Sequence, residues 1–174
     1  CRNIKLEDAY NRIKNGDKYI IRLKSPGDFE RKVVVNDLVK GKIEFPENDQ
    51  DIVIMKSDGL PTYHFAHLVD DHLMRTTHIT RGDEWVSSLP IHVQLFKVFG
   101  FNPPKYAHLS PIMKQEGDTK RKLSKRKDPE AAMSYYAELG IPTEAVHLYL
   151  MTIANTNFEQ WYDQNKDKSI DDFK

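Results

Sequence analysis

A rhythm between Ile52 and Leu109 restricts the fold more than any other feature of the chain. Ile52-Val53-Ile54-Met55 is a short, continuously apolar run, the pattern of a strand covered on both faces. After Ser57-Asp58-Gly59 and Pro61, residues Tyr63 to Met74 have the apolar spacing of a helix. Thr77 to Thr80 reads as a strand, with Arg81-Gly82-Asp83 as the turn after it. A longer helical stretch runs from Asp83 to Phe99 and stops at Gly100; it contains Pro90, which predicts either a bend or two helices. Tyr106 to Leu109 reads as one more strand. Strand, helix, strand, helix, strand in succession predicts an α/β fold with a parallel sheet. Such sheets bind ligands at the carboxyl ends of their strands.

The flanks have other patterns. Ile4, Leu6, Ala9, Tyr10 and Ile13 recur at helical spacing, and Gly16 follows as a stop. Tyr19 to Lys24 reads as a strand ended by Pro26-Gly27. Val33-Val34-Val35 and Ile43-Glu44-Phe45 read as two more, with Asp37 and Gly41 as turn residues between them. The opening third thus reads as a small β-rich unit carrying one helix, closed by the acidic stretch Glu47 to Asp51. Past Lys127 the pattern is helical only. Pro129 suits the first turn of a helix over Glu130 to Leu139, which Gly140 ends. Thr143 is placed to cap the next, whose face is Ala145, Val146, Leu148, Tyr149, Leu150 and Ile153. The polar tail from Asp163 to Lys174 reads as exposed.

Composition narrows the function classes. The 26 Lys and Arg residues balance the 26 Asp and Glu residues, so nucleic-acid binding must come from local clusters. A single cysteine excludes an internal disulfide framework and a CxxC zinc module, and a reducing, cytoplasmic setting fits. No apolar run approaches the ~20 residues of a membrane span, so no membrane partner is expected. The start at Cys1-Arg2-Asn3, without an initiator Met, is that expected of a fragment or a processed product.

Three stretches are candidates for chemistry. From Lys120 to Lys127, six of eight residues are Lys or Arg, with Leu123 and Ser124 interrupting them. A solvated surface run and a phosphate site both fit this composition. Its expected place, after a strand and before a helix, suits lysine charges and a serine hydroxyl on phosphate. In Asp58 to His72, residues His64, His67 and Asp71 share one helical face, yet their spacing matches no specific metal motif. No protein-bound metal is expected. Tyr63, at a strand-to-helix turn, is placed to reach a cleft. In His78 to Trp85, Arg81 is either a surface ion-pair partner or a fork for a carboxylate, which its planar guanidinium suits. No G-x-S-x-G, Walker loop or G-x-G-x-x-G occurs.

In order and interval, these stretches resemble the glutamyl-tRNA synthetases of bacterial type. Lys122-Leu123-Ser124-Lys125-Arg126 is similar to that family's form of the class I KMSKS loop. Asp58-Gly59-Leu60-Pro61-Thr62-Tyr63-His64-Phe65-Ala66 resembles the block entering the second half of the catalytic domain. Ile79 to Trp85 with Ser87-Ser88, Pro90 and His92 resembles the next block, and Cys1-Arg2 with Gly16 to Pro26 resembles the insertion before them. The resemblance implies three segments: residues 1–51 from the acceptor-binding insertion, 52–128 from the second half of a Rossmann-like catalytic domain, and 129–174 from the start of a helical subdomain. It implies activation of L-glutamate by ATP, with Mg2+ accompanying the nucleotide, and transfer to the 3' end of tRNA(Glu). Lys122 and Lys125 would stabilise the leaving pyrophosphate. Glu84, the backbone of Met113 at the end of the strand before the loop, and Ser124 would contact ATP; Tyr63, His67 and Arg81 would contact glutamate. His67 stands where the family often has Asn. The HIGH signature, the N-terminal glutamate-holding residues and an anticodon-binding region are not in the sequence. The expectation is therefore a segment inactive by itself, from a monomeric parent. The rivals are a glutaminyl-tRNA synthetase, a paralogue that glutamylates a modified tRNA base, and a non-catalytic RNA-binding module.

Overall fold

The structure, a computed structural model, describes residues 2–173; Cys1, which holds the single cysteine, and Lys174 lie outside the described residues. The chain forms two compact units, residues 1–110 and 111–174.

The first unit opens with helix α1 (Leu6–Lys14), which has Glu7 and Asp8 in its first turn and Arg12 and Lys14 in its last, as the helix dipole favours. Gly16 follows at φ +88°, a conformation that suits glycine. Four strands come next: β1 (Ile21–Arg22), β2 (Lys32–Asp37), β3 (Gly41–Pro46) and β4 (Val53–Met55). The strand expected over 19–24 shortens to β1, because its register with β4 shifts between Ile21 and Arg22. β1 and β4 form an antiparallel pair of their own, and within β4 only Ile54 is buried. The apolar run 52–55 therefore belongs to a small ribbon rather than to the parallel sheet. Thr62 leads into helix α2 (Tyr63–Leu73), and its hydroxyl donates to the Val53 carbonyl at 2.9 Å, tying the helix start to β4.

Strand β5 (His78–Gly82) takes in Arg81 and Gly82, which the sequence alone placed in a turn. A 3-10 helix (Asp83–Ser88) and helix α3 (Leu89–Phe99) then resolve the question raised by Pro90. The proline sits in the first turn of α3, where its missing N–H has no partner to lose. Strand β6 (Lys105–Leu109) completes a four-stranded sheet of order β3-β2-β6-β5. β2, β6 and β5 are parallel neighbours and β3 is antiparallel, so the fold is α/β with a mixed sheet. Strand pairing thus runs across the boundary at 51/52.

Helices α2 and α3 meet through Leu68, Leu95 and Phe96, packed with Leu23 and Ile54. A second cluster joins Val35, Leu89 and Tyr106. Each such side chain stabilises the fold by roughly 1.5–3 kcal/mol when fully buried. A polar strap adds to this. Gln94 of α3 donates to the Asn48 carbonyl at 2.7 Å and to Ser25 Oγ at 3.0 Å, and the Asn48 amide donates back to Gln94 Oε1 at 2.8 Å. The chain passes so close here that a Cβ on Gly27 would lie 2.1 Å from the Asn48 carbonyl oxygen.

The second unit begins with a hairpin of β7 (Met113–Glu116) and β8 (Thr119–Lys122), turned at Gly117 with φ +59°. Two expectations change here. Met113 opens a hairpin strand instead of closing a sheet strand, and Lys120 to Lys122 are themselves strand, so the basic loop proper follows a hairpin. The helix expected over 130–139 divides into a 3-10 turn (Pro129–Ala131) and helix α4 (Met133–Glu138), because Ala132 between them is extended. Helix α5 (Thr143–Ala154) is preceded by Pro142, with Thr143 its first residue and not its cap. Helix α6 (Thr156–Gln164) is capped by the Asn155 side chain. The tail contains a 3-10 turn (Ile170–Asp172), and Phe173 packs edge-on against buried Phe158.

Gly27→Ala is expected to lower stability by about 1–3 kcal/mol, since backbone must move to admit the methyl group. Gly82→Ala should change it little, because its Cβ would meet only the far end of the Glu84 side chain. Urea denaturation of the two variants compares them.

Candidate functional site

The carboxyl ends of three parallel strands each supply one member of a buried hydrogen-bonded row. β2 ends at Asp37, β6 carries His108 and β5 carries Arg81, with Arg81 and His108 directly opposite in the β5–β6 register. His108 Nδ1 lies 2.6 Å from Asp37 Oδ2, and Arg81 Nε donates to His108 Nε2 at 2.9 Å. The Asp37 and His108 side chains are wholly buried. Burial alone would raise the Asp37 carboxyl; hydrogen bonds from the His108 ring and from the Lys40, Val39 and His108 backbone outweigh it and hold the group at about 2. One layer further out, Asp83 pairs with Lys40 at 2.9 Å and accepts from Ser110 Oγ at 2.9 Å.

Around Arg81 the wall is aromatic. Its guanidinium carbon lies 5.0 Å from the Tyr106 ring centroid and 5.9 Å from that of Trp85. Tyr63, half exposed at the start of α2, stacks on Trp85 at 4.3 Å and lies parallel to His67 at 6.1 Å. Arg81 Nη2 is 3.2 Å from His92 Nδ1, and His92 Nε2 is 2.9 Å from His64 Nδ1. Since a guanidinium only donates, His92 carries its proton on Nε2 and gives it to His64. His67 pairs with Asp71 at 2.6 Å and stands 3.3 Å from the Tyr106 hydroxyl. Burial pushes His92 down to about 2, with His67, Arg81, His64 and His108 adding to the effect. Burial and Arg81 lower His64 as well; burial lowers His67 despite Asp71. His64, His67 and His92 are thereby kept neutral at pH 7, and Arg81 is the cation of the cluster. Its Nη1 is buried without a hydrogen-bond partner among the described residues. No group of three or more His, Cys, Asp or Glu residues is arranged to hold a metal ion among them.

Glu84 sits in the 3-10 helix after β5, its carboxylate folded over Gly82, where a Cβ would be 2.1 Å from Glu84 Oε2. Tyr63, His67 and Arg81 are thus brought together, with Trp85 and His92 beside them.

In the second unit the basic run is not uniform. Arg121 grips Asp128 with two bonds of 2.6 and 2.7 Å and also meets Glu116 at 2.6 Å. Lys114 donates to Asp128 at 3.0 Å and pairs with Glu130. The buried Asp128 also accepts the Ser124 backbone N–H at 2.9 Å, and the Lys127 and Asp128 N–H groups bond the Ser124 carbonyl. Bonding from Arg121, Ser124 N–H and Lys114 holds the Asp128 carboxyl well below the usual carboxylate range. Lys122 and Lys125 are exposed, and Lys125 makes no ion pair among the described residues. Arg121 is structural; the loop from Ser124 to Lys127 is wound tightly around Asp128.

Sequence reasoning singled out Tyr63, His67 and Arg81 but missed Asp37, His108 and Asp128, and gave His92 no role. One signal for His108 was present: Tyr106 and His108, two apart on a strand, share the face that meets Ile79 and Arg81.

A family model described as the catalytic domain of class I tRNA synthetases (E and Q) matches residues 1–165. The glutamate–tRNA ligase of Clostridium beijerinckii is 60% identical over 173 residues, covering 99% of this chain and 31% of the relative. That of Clostridium perfringens is 57% identical, with 99% and 32% covered. The chain therefore spans about a third of the length of these curated relatives. A solved glutamate tRNA ligase from Elizabethkingia meningosepticum, in complex with its amino acid, superposes with a TM-score of 0.62 at 41% identity, over 73% of this chain and 25% of that one.

Protonation of His92 gives a pH signature. Its ordinary value is 6.5 and the fold holds it at about 2. Below pH 6.5 the unfolded chain takes up a proton that the native chain refuses, so stability falls with pH by up to about 1.4 kcal/mol per unit. His64 and His67 act in the same direction. The melting temperature should drop as pH is lowered from 6.5 to 5, and His92→Gln should flatten that slope.

Proposed function

The chain belongs to the class I tRNA synthetases of the glutamate and glutamine type, and on that footing we propose that it works in a glutamate–tRNA ligase. A carboxylate oxygen of L-glutamate attacks the α-phosphorus of ATP, pyrophosphate leaves, and the glutamyl group of the resulting adenylate passes to a hydroxyl of the 3'-terminal adenosine of tRNA(Glu) with release of AMP. Residues 1–51 would belong to the acceptor-binding insertion, 52–128 to the catalytic domain and 129–174 to the helical subdomain. The enzyme would be a cytoplasmic monomer that takes Mg2+ with its ATP.

One observation carries the reading. Arg81, the cation of an aromatic and imidazole cluster at the strand ends, has a buried Nη1 with no hydrogen-bond partner among the described residues, and a planar guanidinium with an open nitrogen suits a carboxylate. Tyr63, Trp85 and the neutral His67 supply walls for the aliphatic part of an amino acid. His67 keeps its Nδ1 on Asp71, so only the Nε2 side, near the Tyr106 hydroxyl, faces such a ligand.

Glu84, the Met113 backbone and Ser124 take ATP in this reading, and Lys122 and Lys125 meet the charge that develops on pyrophosphate. Lys125, exposed and without an ion pair among the described residues, supports it, because a charge already committed to a carboxylate has less to offer a phosphate. Arg121, committed to Asp128 and Glu116, is not assigned to ATP.

Glutamate-dependent ATP–pyrophosphate exchange in the presence of tRNA(Glu), by the enzyme that carries this chain, is the direct measurement. Lys125→Ala should slow exchange by roughly 10²–10³-fold, the usual effect of removing one preorganised charge from a transition state. An unchanged rate would remove Lys125 from the mechanism. Arg81→Lys, which keeps the charge but loses the fork, should raise the KM for glutamate about tenfold or more. Exchange that ignores glutamate would sink the reading as a whole.

A further inference from the structure

We propose that Asp37 dictates the tautomer of His108 and, through it, the orientation of Arg81, which makes the pair positioning residues for the cation of the site. The consequence for glutamate rests on the function proposed above; the tautomer control does not.

The argument is one of donors and acceptors. Arg81 Nε carries a hydrogen and points at His108 Nε2 from 2.9 Å, so that nitrogen must present a lone pair. The His108 proton then resides on Nδ1, facing Asp37 Oδ2 at 2.6 Å. Asp37 in turn has no rotational freedom. Its other oxygen, Oδ1, accepts three backbone N–H groups, from Val39 at 3.0 Å, Lys40 at 2.9 Å and His108 at 3.2 Å. Oδ2 is thereby directed at the imidazole. A negative acceptor at that point selects the Nδ1–H form, and only that form can receive Arg81.

With Nε fixed, the plane of the guanidinium is fixed. Nη2 is directed at His92 Nδ1 and at the Trp85 carbonyl, 3.5 Å away, and Nη1 is left without a partner among the described residues. Asp37 lies 71 residues before His108 in the chain, yet it decides which nitrogen of Arg81 remains open.

The same geometry foretells what an amide would do. In Asp37→Asn the three backbone donors would keep the amide oxygen at the Oδ1 position, so the NH2 group must occupy the Oδ2 position. It would donate to Nδ1 and drive the His108 proton to Nε2, head-on against the Arg81 Nε–H. A change that leaves shape intact but imposes the wrong tautomer is known to disable an imidazole paired with a carboxylate. Asp37→Ala behaves differently. It removes the acceptor of three backbone N–H groups and must destabilise the fold more than Asn, but it imposes no tautomer, so Nε2 stays able to accept from Arg81.

The test uses the enzyme that carries this chain, labelled with 15N. Long-range proton–nitrogen spectra read the His108 tautomer, and solvent exchange of the Arg81 Nε–H reads its hydrogen bond. The wild type should show Nδ1–H at His108 and a protected Arg81 Nε–H. Asp37→Asn should show Nε2–H and lose that protection by about tenfold or more, the equivalent of one hydrogen bond to a charged group. Asp37→Ala should melt at the lower temperature yet keep more of the Arg81 protection. Three results overturn the proposal: Nε2–H in the wild type, an unchanged tautomer in Asp37→Asn, or Arg81 damage that simply follows the order of stability. The wild-type spectrum decides even if both variants fail to fold. Adding L-glutamate to the enzyme that carries this chain separates the two claims, because a wild-type Arg81 signal that ignores it counts against the glutamate reading while the tautomer result stands.

Discussion

The interaction on which the first unit turns is the hydrogen-bonded row Asp37–His108–Arg81. A guanidinium set among Tyr106, Trp85 and three neutral imidazoles loses much of its hydration, and an isolated cation there would be costly. The row answers that cost with a buried carboxylate two bonds away, placed where backbone N–H groups keep it ionised. The charge then orders its surroundings. Arg81 contributes to holding His64, His67 and His92 below their ordinary values, and a neutral imidazole is what can accept from it. Strand register makes this possible. β5 and β6 end level, and β2 ends at Asp37 opposite Tyr106, two residues short of His108, so three side chains far apart in the chain arrive within reach of one another.

A similar economy governs the second unit on a smaller scale. The run Lys120–Lys127 looks in the sequence like a block of like charge, and such a block repels itself. Asp128 relieves that repulsion by taking Arg121, Lys114 and the Ser124 N–H together. The outcome is a loop whose backbone is fixed by one carboxylate and whose remaining lysines point outward. Composition counts all of these cations alike; hydrogen bonding commits Arg121 to Asp128 and leaves Lys125 exposed.

What the sequence revealed and what it hid follow from range. The helix over 63–73, the strand ending at Leu109 and the helix stop at Gly100 were legible because period and glycine act locally. Pro90 raised a question that the first turn of α3 answered. The pairing of 53–55 with 21–22 was not legible, since an apolar run says that a strand is covered but not by which neighbour. Asp37 read as a turn residue, and it does accept from Val39 and Lys40 as such a residue would. Nothing local shows that its second oxygen reaches His108. Tyr63, His67 and Arg81 were found through resemblance of motif, while their spacing alone left each with an ordinary structural explanation. His92 lay inside a recognised block and still acquired its meaning only when Arg81 appeared beside it.

The pairing of β2 with β6 bears on how freely such chains exchange parts. Residues 1–51 resemble an insertion, and an insertion invites transplantation between relatives as a self-contained cassette. Here residues 1–51 contribute a central strand of the mixed sheet and, at its tip, the carboxylate that aligns Arg81. A graft that preserved every surface of the insertion but carried an amide at position 37 would set the His108 proton against the guanidinium. Recombination across 51/52 must therefore preserve Oδ2 of Asp37 as well as the residues that cover the join.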